Sequence, residues 1–209
     1  GKALLNLVSG KFLTNHDLSD SYLKWIMAQP VAKFNGYPYE LGMKLPKDSW
    51  RGADALKPIL KHTLDKQFKN LIQTAKNDGG AIKGNVWCAL DTSGSMTGRE
   101  ASAPLNVAIA LGMYCAERIG EPFKNHYVSF SSRPQFIKIE GVDFVDKVRR
   151  IYKTNLCENT NLEATFDLLL KTALKSNPED IPETLVVISD MQIDAMTGGW
   201  GDSGTRWTQ

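Results

Sequence analysis

The sequence has few residues of the types that build thiol or imidazole sites. Among its 209 residues are three histidines and three cysteines. Cys88, Cys115 and Cys157 are an odd number and lack the spacing of metal ligands, so they predict neither a zinc site nor a disulfide framework. Cys88 and Cys115 fall in apolar runs, where they are expected to be buried as small hydrophobic side chains. A reducing, cytoplasmic location is therefore expected.

Long hydrophobic runs and a strong net charge are also missing. No stretch approaches the roughly 18 apolar residues of a membrane span, and no signal peptide is recognisable. We therefore expect no membrane partner. The formal net charge of +2 by itself indicates neither nucleic acid nor an anionic surface. A hydrophobic content of 42% predicts a folded globular protein.

Residues 1–80 differ in composition from the rest of the chain. They predict a helical and irregular N-terminal segment that packs on a main domain over residues 84–209. Within this segment we expect a short helix before Pro30, capped by Ser19 or Asp20, and an irregular loop over 34–52. A longer amphipathic helix is expected from about Asp54 to Lys76. Its basic residues and those of a later helix indicate solvated faces, with a phosphate-contacting patch as the alternative: Lys61, Lys66, Lys69, Lys76, Arg149, Arg150 and Lys153.

From residue 85 onward, strand-like and helix-like segments alternate. This order predicts an α/β, Rossmann-like fold with a mostly parallel central sheet between helices. The expected strands are NVWCALD (85–91), NHYVSFSS (125–132), QFIKIEG (135–141) and ETLVVISD (183–190). The first and last have the apolar runs of buried strands, and the middle two are expected to pair as a hairpin. The expected helices cover 101–119, 142–153 and 161–176, the last of them capped by Asn159 or Thr160.

Both apolar strands end on an aspartate, Asp91 in one case and Asp190 in the other. The carboxyl ends of parallel strands meet at one edge of a sheet, where ligands bind. Two carboxylates there repel each other unless a cation compensates them. Ser93 and Ser95 add hydroxyl oxygens at alternate positions after Asp91. All-oxygen sets of this kind suit a hard divalent ion, most often Mg²⁺, with Mn²⁺ and Ca²⁺ as alternatives.

The stretch DTSGSM, residues 91–96, resembles the D-x-S-x-S signature of the von Willebrand factor type A (vWA) domain. The resemblance covers about residues 84–195. Thr160 stands where that family has the threonine of its metal-ion-dependent adhesion site (MIDAS), and Asp190 fits the final aspartate. The resemblance implies that Ser93, Ser95 and Thr160 ligate the ion directly or nearly so. Asp91 and Asp190 would act mainly through coordinated waters.

The resemblance also implies a function. In the vWA family one coordination position of the ion is filled by a carboxylate or other anionic oxygen of a protein partner, so the expected function is a metal-dependent interaction module and not an enzyme. The segment ISDMQID and the NTN loop resemble an uncharacterised bacterial and phage branch. That branch is similar to the A domain of the Ro (TROVE) autoantigen, which binds RNA. An RNA- or ribonucleoprotein-associated module is therefore the alternative.

Two enzyme classes place similar residues at a strand end. A phosphatase of the haloacid dehalogenase type needs a D-x-D motif, and here Ser93 replaces the second acid that would transfer the proton. A serine hydrolase needs a histidine beside its nucleophile. His126 is expected at the end of the sheet opposite to Asp91, and G-x-S-x-G is absent. Neither class is favoured.

The chain departs from the family pattern after its last aspartate. Members continue with further strands and helices, whereas 19 residues follow Asp190. The segment LVVIS is therefore expected at a sheet edge, which natural proteins normally cover. We expect the chain to be a fragment, as the initial Gly1 also suggests, or the sheet to be completed by something else.

Overall fold

A computed structural model describes residues 18–30, 34–45, 58–77, 86–97, 104–130, 133–154 and 161–191. The helices are α1 (Ser19–Ala28), α2 (Pro38–Gly42), α3 (Pro58–Asn77), α4 (Pro104–Ala116), α5 (Phe144–Thr154) and α6 (Leu162–Ala173). The strands are β1 (Val86–Asp91), β2 (His126–Phe130), β3 (Phe136–Lys138) and β4 (Thr184–Ile188). Short 3₁₀ turns occupy Gly94–Met96 and Pro178–Asp180.

The four strands form one mixed, mostly parallel sheet in the order β3-β2-β1-β4. β1 runs parallel to both β2 and β4, while β3 pairs antiparallel with β2 as the predicted hairpin. The predicted α/β class and the parallel character of the sheet are confirmed. β1 is buried along its whole length, which explains its uninterrupted apolar sequence. His126 begins β2, whereas Asp91 pairs with Phe130 at the opposite end, as predicted.

The prediction that the last strand is buried is wrong. In β4, Thr184 and Val187 are exposed, and the other three residues are half-buried. The reason is that β4 pairs with β1 along one edge only, and no other described strand pairs with it. The expectation that LVVIS lies at a sheet edge is confirmed for the part of the chain that the structure describes.

The predicted cap of α1 is also wrong. Leu18 occupies the N-cap position without a side-chain hydrogen bond, and Ser19 is already helical. This helix is held instead at its carboxyl end. The Lys66 ammonium on α3 donates to the carbonyl oxygens of Ile26 at 2.7 Å and of Gln29 at 2.5 Å. A cation there satisfies carbonyls that have no partner within the helix.

The segment predicted as an irregular loop contains the short helix α2. Pro38 takes the first helical position, where its fixed φ suits the helix and its missing N–H costs nothing. The Glu40 carboxylate accepts a hydrogen bond of 2.9 Å from the backbone N–H of Tyr37. A Cβ at Gly42 would overlap the backbone carbonyl of Asn106. Glycine therefore allows α2 to lie directly against α4.

The predicted cap of α6 was one or two residues too early. Asn161 is the N-cap, and its side chain accepts a hydrogen bond of 2.9 Å from the backbone N–H of Ala164. Asn159 and Thr160 lie outside the described residues. Asparagine is a strong N-cap residue, so the Asn161 side chain accounts for the start of the helix at Leu162.

The two faces of the sheet are covered unequally. The largest hydrophobic cluster lies on one face and joins residues of α2, α3, α4 and α5 to the sheet, with the rings of Phe68 and Phe144 4.8 Å apart. On the other face a smaller cluster around Trp87, Val128 and Leu169 packs under α6. None of the helices in the described residues is both long and apolar enough to cross a bilayer.

The two cysteines in this region are neighbours. Cys88 on β1 is buried as predicted, whereas Cys115 on α4 is only half-buried, and both are free thiols. A hydrogen bond between the two thiols raises the pKa of Cys88 and lowers that of Cys115. Burial raises the pKa of Cys88 further and partly opposes the decrease at Cys115. Cys157 lies outside the described residues.

Candidate metal centre

Asp91, the last residue of β1, is 0% exposed. Both oxygens of its carboxylate are held by the protein. Oδ1 accepts a hydrogen bond of 2.9 Å from the backbone N–H of Ser93, and Oδ2 accepts one of 2.5 Å from the Ser189 hydroxyl. The first bond closes a turn of the Asx type. The carboxylate is therefore fixed where the strand ends and the loop begins.

The loop brings two hydroxyl groups together beside this carboxylate. Ser93 is buried and Ser95 is exposed, and their Oγ atoms lie 3.0 Å apart. The 3₁₀ turn at Gly94–Met96 sets this spacing. Two adjacent oxygens around an octahedral Mg²⁺, each about 2.1 Å from the ion, lie about 3.0 Å from one another. The two hydroxyls are hydrogen-bonded to each other at this distance, and the same spacing would suit two neighbouring magnesium ligands.

The charge of Asp91 has no cationic partner in the part of the chain that the structure describes. The five ion pairs there involve other acids, among them Asp65, Asp143 and Glu117. Burial of an ionised carboxylate is costly unless a cation or several donors compensate it. Asp91 has two donors, so a bound cation would complete the compensation.

Asp190 lies at the same end of the sheet as Asp91, where the carboxyl ends of the parallel strands meet. The register of the parallel strands pairs Leu90 with Ile188, which puts Ser189 across from Asp91 and Asp190 one residue further along. Asp190 is half-buried. Of the five predicted site residues, the structure brings Asp91, Ser93, Ser95 and Asp190 to this edge. Thr160 lies outside the described residues.

Ser189 was missed in the sequence. Its hydroxyl donates to Asp91 and also accepts a hydrogen bond of 2.9 Å from the backbone N–H of Met191. Met191 has a φ of +63°, so the chain turns sharply directly after the strand. The position of Ser189 directly before Asp190 could have indicated its role only together with the register. Because Leu90 pairs with Ile188, Ser189 lies across from Asp91. The register itself could not be read from the sequence.

The donor set consists of oxygen atoms. Within the described ranges, no three His, Cys, Asp or Glu side chains cluster in a way that could hold a metal ion. The two aspartates at this end of the sheet are therefore too few to hold an ion by themselves, and the hydroxyl oxygens and water would have to supply the other ligands. One buried carboxylate, two hydroxyls and a second carboxylate at the same edge fit the chemistry of a hard divalent ion that keeps several waters.

Three basic residues of α3 contact acidic side chains and carbonyl groups within the chain. Lys61 pairs with Asp143 at 2.9 Å, and Lys69 pairs with Asp65 at 2.6 Å. Lys66 holds the carboxyl end of α1. A phosphate-contacting patch would need these three ammonium groups, and in this structure they already have partners within the chain.

The fold and this edge define the class of protein. It is an α/β protein with an acidic, hydroxyl-rich site where two parallel strands end. A family model described as a domain of unknown function, DUF7788, matches residues 86–209. The match covers more than half of the chain, which therefore belongs to this family. It begins at the first residue of β1.

A curated viral protein resembles part of the chain. The uncharacterized protein L728 of Acanthamoeba polyphaga mimivirus is 32% identical over 125 residues, which are 59% of this chain and 21% of the viral protein. The chain thus spans about a fifth of the length of the curated relative that it matches. No solved structure matches the chain.

Proposed function

We propose that about residues 84–195 form a vWA-like domain whose loop after β1 binds a divalent cation, Mg²⁺ foremost. The observation that carries this proposal is a fully buried carboxylate, Asp91, fixed beside two hydroxyls that are 3.0 Å apart. The ligand set contains Ser93 and Ser95 directly, with Asp91 and Asp190 acting through waters and Thr160 as a further hydroxyl.

The proposed activity of the site is non-enzymatic binding of a protein partner. A carboxylate or other anionic oxygen of that partner would supply the last ligand of the ion. The exposed side of the loop supports this mode of approach. Ser95 is exposed, and a Cβ placed at Gly94 would meet no described atom within 4 Å. The free thiols Cys88 and Cys115 agree with the cytoplasmic location that we propose for this module.

The metal site is tested by calorimetric titration of the chain with Mg²⁺ and with Mn²⁺. We expect saturable binding by the wild type and its loss in Ser93→Ala/Ser95→Ala. Ser176→Ala is the matched control, because it removes a hydroxyl that bonds only to a helical carbonyl at the end of α6. The proposal is wrong if millimolar ion gives no heat of binding with the wild type, or if the control loses binding as well.

The open coordination position is tested with Mn²⁺ as a paramagnetic probe. Water proton relaxation reports the exchangeable waters on the bound ion. The α-amide of N-acetylglutamate should lower the relaxation enhancement by about one water, whereas the α-amide of N-acetylglutamine, which has no carboxylate, should leave it unchanged. Equal effects of the two compounds would contradict recognition of a carboxylate. Chelator-insensitive, strongly salt-dependent binding of single-stranded RNA would instead support the RNA alternative.

A further inference from the structure

α6 carries a row of exposed apolar side chains on the side that does not pack on the sheet. Phe166, Leu170 and Leu174 follow one another at intervals of four residues and are 52%, 59% and 77% exposed. Residues at this spacing lie along one side of a helix. Single exposed apolar residues are ordinary, but a continuous row of three large ones indicates an interaction surface. We call these three residues the α6 stripe.

The α6 stripe borders an apolar groove. The groove lies between α6 and the start of β4, has a volume of about 490 Å³ and is lined by Trp87, Leu169, Leu170, Ile181 and Pro182. Trp87 is buried, yet its indole Nε1 has no hydrogen-bond partner in the described part of the chain. The stripe and the groove together form a surface that could accept large apolar side chains.

The charges next to the α6 stripe are arranged by sign. Glu163 and Asp167 lie in the amino-terminal half of the helix, whereas Lys171 and Lys175 lie in the carboxyl-terminal half or just beyond it. All four residues are exposed, and they again follow one another at intervals of four. Asp167 and Lys171 form a loose pair within the helix, with 3.9 Å between Oδ2 and Nζ, and both side chains are largely exposed, so a partner helix can compete for them. The surface therefore has an acidic end and a basic end.

We propose that the occupant of this surface is the α6 stripe of a second copy of the chain. In an antiparallel pair of α6 helices with a two-fold axis level with Leu169, Asp167 faces Lys171 of the partner subunit. Glu163 then faces Lys175 of the partner subunit. The two-fold axis repeats both pairs, so all four charges find an opposite charge. In a parallel pair like charges would meet.

The same axis interleaves the apolar side chains. Phe166 of the partner subunit falls between Leu170 and Leu174, next to the groove. Leu170 of the partner subunit falls between Phe166 and Leu170. One geometry thus satisfies both the charges and the stripe, which is why the surface favours its own copy over a uniformly basic or acidic partner. Three apolar residues on each side form a small interface, so the dimer should be weak, with a Kd on the order of 10 µM.

The charge pairing is tested by sedimentation velocity between about 1 and 200 µM. The wild type should dimerise over this range. The acidic variant Lys171→Glu/Lys175→Glu and the basic variant Glu163→Lys/Asp167→Lys should each dimerise at least tenfold more weakly. An equimolar mixture of the two should restore dimers, because all four pairs are then attractive again. Lys138→Glu/Lys153→Glu, which changes the same charge at exposed positions elsewhere, should dimerise like the wild type.

Three results would overturn the proposal. They are a monomeric wild type at 200 µM, a mixture that stays monomeric, and equal weakening by the Lys138→Glu/Lys153→Glu control. Leu170→Asp separates a further occupant. It should abolish the dimer, and at about 1 µM, where the wild type is also monomeric, it should leave the melting temperature unchanged. A melting temperature lowered by this substitution at that concentration would show that another part of the same chain covers the α6 stripe. Ser93→Ala/Ser95→Ala should dimerise normally, so this proposal and the metal proposal fail separately.

Discussion

The two faces of the sheet in this protein differ in how much covers them. On one face, four helices and two strands share a single large hydrophobic cluster that includes Leu64, Tyr127, Phe144 and Tyr152. The other face is covered by α6 and by Phe123 of the loop before β2, with an open groove beside α6. We call the first the thick face and the second the thin face. The thick face should set the stability of the fold, and the thin face leaves more apolar surface exposed within the described residues.

The largest expected effect comes from the same truncation on each face. Leu64→Ala removes a side chain that is 0% exposed within rigid surroundings, and should lower the free energy of unfolding by about 4–5 kcal/mol. Leu169→Ala on the thin face should cost about 2–3 kcal/mol, because its cavity opens toward the groove and can relax. Urea denaturation measures both. Equal losses would show that the faces contribute alike.

A second effect concerns pH, and it belongs to the thick face. Burial raises the pKa of both Tyr127 and Tyr152 to about 12, from 10.0. The unfolded chain therefore releases these phenolic protons first as the pH rises. Stability is full below pH 10 and should fall by about 2 kcal/mol per tyrosine between pH 10 and 12. Urea denaturation at pH 9, 10, 11 and 12 follows this loss.

Phenylalanine variants separate the two tyrosines. Tyr127→Phe should flatten the alkaline decline by its share and cost little at pH 7. Tyr152→Phe should flatten it similarly but cost about 1–2 kcal/mol at pH 7, because the Tyr152 hydroxyl donates to the Asn106 side chain and that bond is lost. An alkaline decline that is identical in the wild type and both variants would assign it to other groups.

A third, smaller effect is expected where the carboxyl ends of β1 and β4 meet. Ser189→Ala removes the hydroxyl that donates to the Asp91 carboxylate. It should cost about 1.5 kcal/mol of stability and weaken Mg²⁺ binding by about 10- to 100-fold, since residues that orient a ligand have effects of this size. Ser189→Thr, which keeps the hydroxyl, should restore most of the affinity. Calorimetry at matched ion concentrations measures the Mg²⁺ affinity of each variant. An unchanged affinity in Ser189→Ala would show that this serine does not contribute to metal binding.

The smallest effect is expected at the open edge. Val187 on β4 is 41% exposed, so Val187→Lys should change the free energy of unfolding by less than about 0.5 kcal/mol. A charge on an edge strand also opposes pairing with other chains, so the variant should aggregate less on heating. A destabilisation of more than about 2 kcal/mol would mean that this face is covered.

The parts of the fold that follow from local periodicity were predictable from the sequence. The apolar run of β1, the hairpin of β2 and β3, and the helical spacing of α3 each depend on neighbours in the chain. The burial of β4 was not predictable, because its apolar residues look the same whether one edge or both edges are paired. The short helix α2 depends on a contact between Gly42 and Asn106, which are distant in sequence.

The candidate site divides in the same way. Asp91, Ser93 and Ser95 lie within five residues, so their proximity could be predicted from spacing alone. Asp190 reached the same edge because parallel strands end together. Ser189 could not be assigned, since its role depends on the register of β1 against β4. The register of two strands is set by packing across the whole sheet, so it cannot be read from the local sequence of either strand.

The hydrogen bond between Asp91 and Ser189 joins residues that are 98 positions apart. On a ribosome that adds about 5–20 residues per second, the partner of Asp91 is made about 5–20 s after Asp91 itself. β1 can meet β2 and the helices of the thick face during that interval, but it cannot meet β4. The carboxylate must therefore wait, without its second donor, until β4 has been synthesised. The hydrogen bonds of the Asp91 carboxylate are thus completed only after β4 has been made.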